Sequence, residues 1–215
     1  MASTADRPAA KGRTTIYVED PPIARALFSD VRFAWIWLIV RVYLGYQWFD
    51  ASLHKVTSPA WMETGAGLKG FLANAVVIPT AAGAKPAITY DWYRDFLTGI
   101  INSGSYVWMA KLVALGELAV GVGLIVGAFV GIAALFGAFM NMNFMLAGAA
   151  STNPVLFFLA VLLIVAWKTA GYWGLDRWLL PALGTPWYRG EVFERGQGTE
   201  NVGHPIGQPA ATNDA

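Results

Sequence analysis

The chain has no cysteine and only two histidines, His54 and His204, among its 215 residues. The first absence excludes disulfides, cysteine-ligated zinc, iron–sulfur clusters and thiol catalysis within this chain. The second argues against a bis-histidine haem or a histidine-built metal site, because His204 lies in a polar tail. No metal, haem or zinc is therefore expected. Charge is scarce too. Charged residues make up 13% of the sequence and hydrophobic ones 56%, where a soluble domain carries roughly 25% charged residues. The net charge of +1 gives no pull toward nucleic acid, and no P-loop, GxGxxG, HExxH or GxSxG element is present. The first 30 residues lack an apolar core and a small-residue cleavage site, so no secretory signal peptide is expected.

What the sequence does have is long apolar runs, and its mean hydropathy is +0.46. Ala34 to Lys55 is long enough to cross a bilayer, which takes roughly 20 residues. Tyr106 to Gly148 is nearly continuous and makes two spans, broken near Gly127-Ala128. Pro154 to Tyr172 supplies a fourth. The expected fold is all-α: an integral membrane four-helix bundle with spans at about 31–54, 106–126, 129–149 and 154–172. Residues 1–30 read as a largely disordered tail with a short amphipathic piece over Ile23–Phe28, and 184–215 as a second disordered tail. Asp30 is the expected N-cap of the first span.

Residues 55–105 form a long loop between the first and second spans. Ser58-Pro59 suits an N-cap and first helical position. Trp92, Tyr93, Phe96, Leu97, Ile100 and Ile101 recur at helical spacing, so a second short helix is expected near Thr89. A loop of this length calls for a structured lid. Lys and Arg concentrate before the first span and after the fourth, which puts both termini in the cytoplasm, the lid outside and the chain in the plasma (inner) membrane. Trp35, Trp37, Trp167 and Trp173 then fall at the inner interface, and Trp48, Trp61, Trp92 and Trp108 at the outer one.

Arg41 stands inside the first span, where a charge costs from ~2.5 to well over 10 kcal/mol unless compensated. Glu117 is the only acid inside the later apolar runs. Placing each helix midpoint at the bilayer centre sets the two at similar depth, so a buried ion pair is expected. It reads either as a staple between helices or as the lining of a polar cavity for an anionic or quinone-like ligand. Arg41, Gly45, Trp48, Ser52 and Lys55 fall on one helical stripe, which should face the bundle, with Gly45 leaving space. Asp50 and His54, at i and i+4, read either as a proton relay or as a solvated helix end. Asn141 and Asn143 are polar groups in the third span, for interhelical hydrogen bonds or ligand contact.

Four segments together resemble the DoxX/DoxD family. They are R-V-Y-L-G from Arg41, G-E-L-A-V-G-V-G-L-I-V-G-A-F from Gly116, N-F-M-L-A-G-A-A-S-T-N-P from Asn143 and G-L-D-R-W-L-L-P from Gly174. The resemblance covers residues 31–183 and is similar to the DoxD branch in its long first external loop. It implies a membrane subunit of a quinone-linked oxidoreductase, of the thiosulfate:quinone oxidoreductase kind, with quinone as electron acceptor. Arg41, Gly45, Glu117, Asn143 and Asp176 are the positions it carries over. It also implies a DoxA-like or soluble redox partner subunit, and self-association is compatible with it. A thiosulfate dianion needs basic groups on an accessible face, which Lys55, Arg94 or Arg41 could supply. Taken together, Arg41, Glu117, Asp50 and His54 are the candidate catalytic residues, and Gly45, Trp48 and Asn143 the candidate cofactor-binding ones. Two other roles stay open: a non-catalytic membrane anchor or assembly partner of a redox enzyme, and a small transporter.

Overall fold

The computed structural model describes residues 20–184, and every regular element among them is helical. The disorder expected at 1–19 and 185–215 lies outside the described residues. In chain order the elements are α1 (Pro22–Ser29), a 3-10 turn (Val31–Phe33), α2 (Ala34–Val56), α3 (Pro59–Met62), α4 (Ala66–Ala75) and α5 (Asp91–Asn102). They continue with α6 (Tyr106–Val126), α7 (Val130–Leu146), α8 (Asn153–Val165), α9 (Trp167–Ala170) and α10 (Asp176–Ala182).

The amphipathic piece expected at Ile23–Phe28 is α1. Its Phe28 stacks on Trp37 with ring centroids 5.3 Å apart, and Trp37 Nε1 donates to the Leu27 carbonyl at 2.8 Å. Asp30 caps the 3-10 turn through the Arg32 N–H, so α2 begins four residues later, at Ala34. Hydrogen bonds from Arg32 also hold the Asp30 carboxyl below its usual range.

Small residues bring α2 and the antiparallel α6 into contact. A Cβ at Gly45 would stand 3.0 Å from both Ile125 and Leu124, and one at Gly121 would stand 2.6 Å from the Phe49 backbone nitrogen. Small residues at these positions let the two helix backbones approach to contact distance. α7 packs on α8 through Ala134, Ala138 and Ala160. A second cluster under α4 and α5 gathers Leu68, Leu72, Ile88, Tyr93, Leu97 and Ile100. The 55–105 segment is thus a helical lid, with Tyr93, Leu97 and Ile100 of α5 turned inward and Trp92 and Phe96 outward.

α6 has the bounds expected for it, because Gly127 takes a left-handed φ of 72° just past its end. α8 stops at Val165, well short of the expected 172. The chain instead turns through Gly171 and Gly174 and passes beneath the α6–α7 junction. There the Leu175 and Asp176 N–H groups donate to the Val126 and Gly127 carbonyls at 3.2 and 2.8 Å. Those are carbonyls that the end of a helix leaves without partners, and a straight α8 would not reach them.

Among the described residues, Tyr106–Val126 is the one helix long and apolar enough to cross a membrane; α7 and α8 are shorter apolar helices. Their outer faces are nonetheless strongly apolar. Ile39, Leu112, Ile132, Phe136, Phe139 and Phe158 are each more than half exposed. Trp37 and Trp48, expected at the interfaces, are instead core residues at 2% and 3% exposure.

α7 has no N-cap of its own, and Phe129 before it holds a positive φ of 50°. Asp176 supplies the cap from 46 residues away, accepting from Phe129 N at 2.5 Å and Val130 N at 2.9 Å. Burial pushes its carboxyl up, while those two N–H groups and the Arg41 guanidinium pull it back. Asp176→Ala is expected to cost about 1–3 kcal/mol, the range for a lost cap and two unpaired donors. Thermal unfolding in detergent would read this as a clear fall in Tm, with Asp176→Asn falling less.

Candidate ligand-binding site

Arg41 and Glu117 are both buried at 1% exposure, but they do not meet. The Gly45–Ile125 and Gly121–Phe49 contacts fix the register of α2 against α6. Counting along both helices from those contacts, Arg41 lies beside the chain just after α6, while Glu117 lies beside Ser52 and Lys55. The two charges are offset by about 18 Å along the axis at 1.5 Å per residue. The expected pair is therefore corrected. The helix centres are not level, so reasoning from midpoints places the wrong residues together.

Each charge has another partner. Arg41 Nη1 donates to the Leu124 and Ile125 carbonyls at 2.5 and 2.8 Å, and Nη2 to the Trp173 carbonyl at 2.8 Å. A cation at the carbonyl end of a helix is well placed against its dipole. Arg41 ties α2 to the end of α6 and to the turn before α10.

Glu117 is bound by Lys55, whose Nζ lies 2.5 Å from both carboxylate oxygens. The same ammonium stands 5.0 Å from the Trp61 ring centroid and 5.6 Å from that of Phe144. Carboxylate and ring faces together stabilise a cation that is only 20% exposed. The stripe from Arg41 to Lys55 held this answer, since Lys55 shares the inward face on which Glu117 must land.

Other expectations change with it. Gly45 leaves no space for a ligand, because Leu124 and Ile125 fill it. Asp50 and His54 are exposed, and the described residues show no hydrogen bond between them, so the relay reading gains nothing. Arg94 donates to Asp91 and to the Ile88 carbonyl, which ties down the start of α5. Each of the three cations that could have met a dianion is thus engaged within the chain.

A cleft of about 830 Å³ runs between α6 and α7, within the range of about 300–1,000 Å³ typical of small-molecule sites. Along α6 it extends from Met109 to Val126, about 26 Å of helix. Leu68, Phe71, Phe96 and Leu97 of the lid line the end near the start of α6, and Phe129 lies at the other end. The small residues Gly116, Gly123 and Ala133 are part of its lining. Asn143 reaches this cleft as a polar lining residue, but it is already engaged. Tyr93 Oη donates to the Asn143 carbonyl at 3.0 Å, and Asn143 Nδ2 donates to the Phe139 carbonyl. Burial pushes the Tyr93 phenol up.

The residue that sequence reasoning underrated is Asn141. It is fully buried, and neither amide atom has a partner; Nε1 of buried Trp48 is in the same position. The available signal was that Asn141 lies one turn beyond Gly137, on a face otherwise made of Gly and Ala. No family model, curated protein or solved structure matches this chain.

Proposed function

We propose that this chain is a four-span membrane protein of the DoxX/DoxD kind that binds an isoprenoid quinone in the α6–α7 cleft. In this reading it serves as the membrane subunit of a quinone-linked oxidoreductase. The observation that carries the proposal is the cleft itself: elongated, almost wholly apolar and open on the flank where Phe136, Phe139 and Ile132 are exposed. A soluble monomer rarely shows a contiguous apolar surface on this scale, and a bilayer would cover it. A long prenyl tail matches a lipid-facing slot of about 26 Å, and a compact soluble metabolite does not. The three cations are already engaged, so a thiosulfate half-reaction belongs on a partner subunit.

The test is binding of a decyl-substituted benzoquinone to the purified chain in nanodiscs, followed by thiosulfate-dependent quinone reduction with and without membrane extract. Saturable binding is expected, and Ala119→Trp, which fills the cleft wall, is expected to weaken it at least tenfold. Absence of saturable binding would remove the quinone reading. A second reading, a non-catalytic anchor for a soluble redox enzyme, is favoured by Tyr90, Trp92 and Phe96. These three aromatics of the lid are more than half exposed. Under that reading an enzyme co-purifies and no quinone binds.

A further inference from the structure

Trp48 Nε1, Asn141 Nδ2 and Asn141 Oδ1 are buried without hydrogen-bond partners. Both residues belong to the same region of the core, because Trp48 packs on Gly137, one helical turn before Asn141. A Cβ at Gly137 would stand 3.1 Å from Trp48 Nε1 and 3.3 Å from Val120, so these three residues form one layer of the core. One helical turn further out lie Asn141 on α7, Ser52 on α2 and Glu117 on α6. The exposures of these three are 0%, 0% and 1%. Ser52 Oγ donates to the Phe49 carbonyl, and Glu117 holds Lys55. Among the described residues of these two layers, Trp48 and Asn141 are the ones left unsatisfied. Leaving such groups unpaired in an apolar core is costly, and apolar residues of the same shape would pack there without that cost.

The wall between this layer and the cleft is thin. Gly116, Val120 and Met140 line the cleft and are sequence neighbours of Glu117, the Gly137 layer and Asn141. Gly116 has no side chain, and the only atom near its missing Cβ is Met140 Sδ, at 3.6 Å. An unbranched thioether moves aside more readily than any other apolar side chain of its size.

We propose that Trp48 and Asn141 bind the headgroup of the amphiphile whose tail occupies the cleft, donating from Nε1 and Nδ2 to a carbonyl oxygen of a neutral ring. This rests on the quinone reading and adds the place and the recognition chemistry. The site offers three N–H bonds and one carbonyl acceptor, which selects an acceptor-rich group. Lys55 and Glu117 neutralise each other beside it, so an ionic headgroup would enter an apolar core without a counter-ion. The outer end of the cleft is the weaker candidate, because Tyr93 and Asn143 there already satisfy each other. From the Gly116 layer the tail runs inward along α6 to Val126 and Phe129, about 15 Å.

The experiment titrates the full chain in nanodiscs with decyl-benzoquinone and with decylbenzene, which has the same tail and no carbonyl. The wild type is expected to prefer the quinone at least tenfold, the worth of about one hydrogen bond. Asn141→Leu and Trp48→Phe are each expected to erase most of that preference, with Tm holding or rising for Asn141→Leu and falling for Trp48→Phe, which leaves a cavity in the core. Equal affinity of the wild type for both probes overturns the proposal whatever the variants do. A preference that survives in both folded variants, and is lost in Ala119→Trp, also overturns it and leaves the quinone reading standing. Binding of neither probe removes the quinone reading itself.

Discussion

Arg41→Leu is expected to lower stability by at least about 3 kcal/mol, the sum for three charge-assisted hydrogen bonds to carbonyls that gain no replacement. The Leu124, Ile125 and Trp173 carbonyls it binds come from two parts of the chain, the end of α6 and the turn before α10. Removing the guanidinium therefore unties α2 from both at once. Gly127 shows how closely the inner end is built around this side chain, since a Cβ there would stand 2.7 Å from Arg41 Cζ and 2.8 Å from Gly174 Cα. Arg41→Lys keeps the charge but loses the fork that reaches two chain segments together, and it should recover less than half of the loss. Denaturation in a fixed detergent would measure this. A cost under about 1 kcal/mol for Arg41→Leu would mean that water replaces the guanidinium, and would refute the clamp.

The second large effect is a charge exchange. Glu117→Lys sets two ammonium groups against each other in a site where Glu117 is 1% exposed, and is expected to cost about 3–5 kcal/mol or to prevent folding. Lys55→Glu should do nearly as much damage. The double variant, with the pair exchanged, is expected to regain most of the folded yield. Combining Arg41→Glu with Glu117→Arg should rescue nothing, because about 18 Å of helix separates the two. Rescue by the Arg41 exchange, or none by the Lys55 exchange, would refute the register described for α2 and α6.

That register marks where the sequence stopped being readable. Helix positions followed from local chemistry. The apolar run from Tyr106, bounded by Ser105 and Gly127, gave α6 to the residue, and the aromatic stripe of α5 gave the lid helix. The inward stripe of α2 was legible too, since Arg41, Gly45, Trp48 and Ser52 are all buried. Pairing between helices was not, because it depends on which small residues meet. Gly45 and Gly121 decide that through contacts more than 70 positions apart in the chain. The end of α8 failed for a related reason. Its apolar run continues past Val165, and only the need to cover the last carbonyls of α6 turns the chain away. Asn141 and Asn143 look alike in sequence, yet one is sealed in the core and the other lines the cleft, a difference of about 200° around one helix.

The position of the cleft mouth has a consequence for how affinity must be expressed. It opens on the flank of Leu112, Ile132 and Phe136, while Leu68, Phe71, Phe96 and Leu97 of the lid line its far end. Under the membrane reading proposed above, a quinone entering this way is drawn from the bilayer plane, so occupancy follows its mole fraction among the lipids and not its total concentration in the sample. Diluting the nanodisc ligand with inert lipid should empty the site at constant molarity. Diluting the whole suspension with buffer should leave occupancy unchanged.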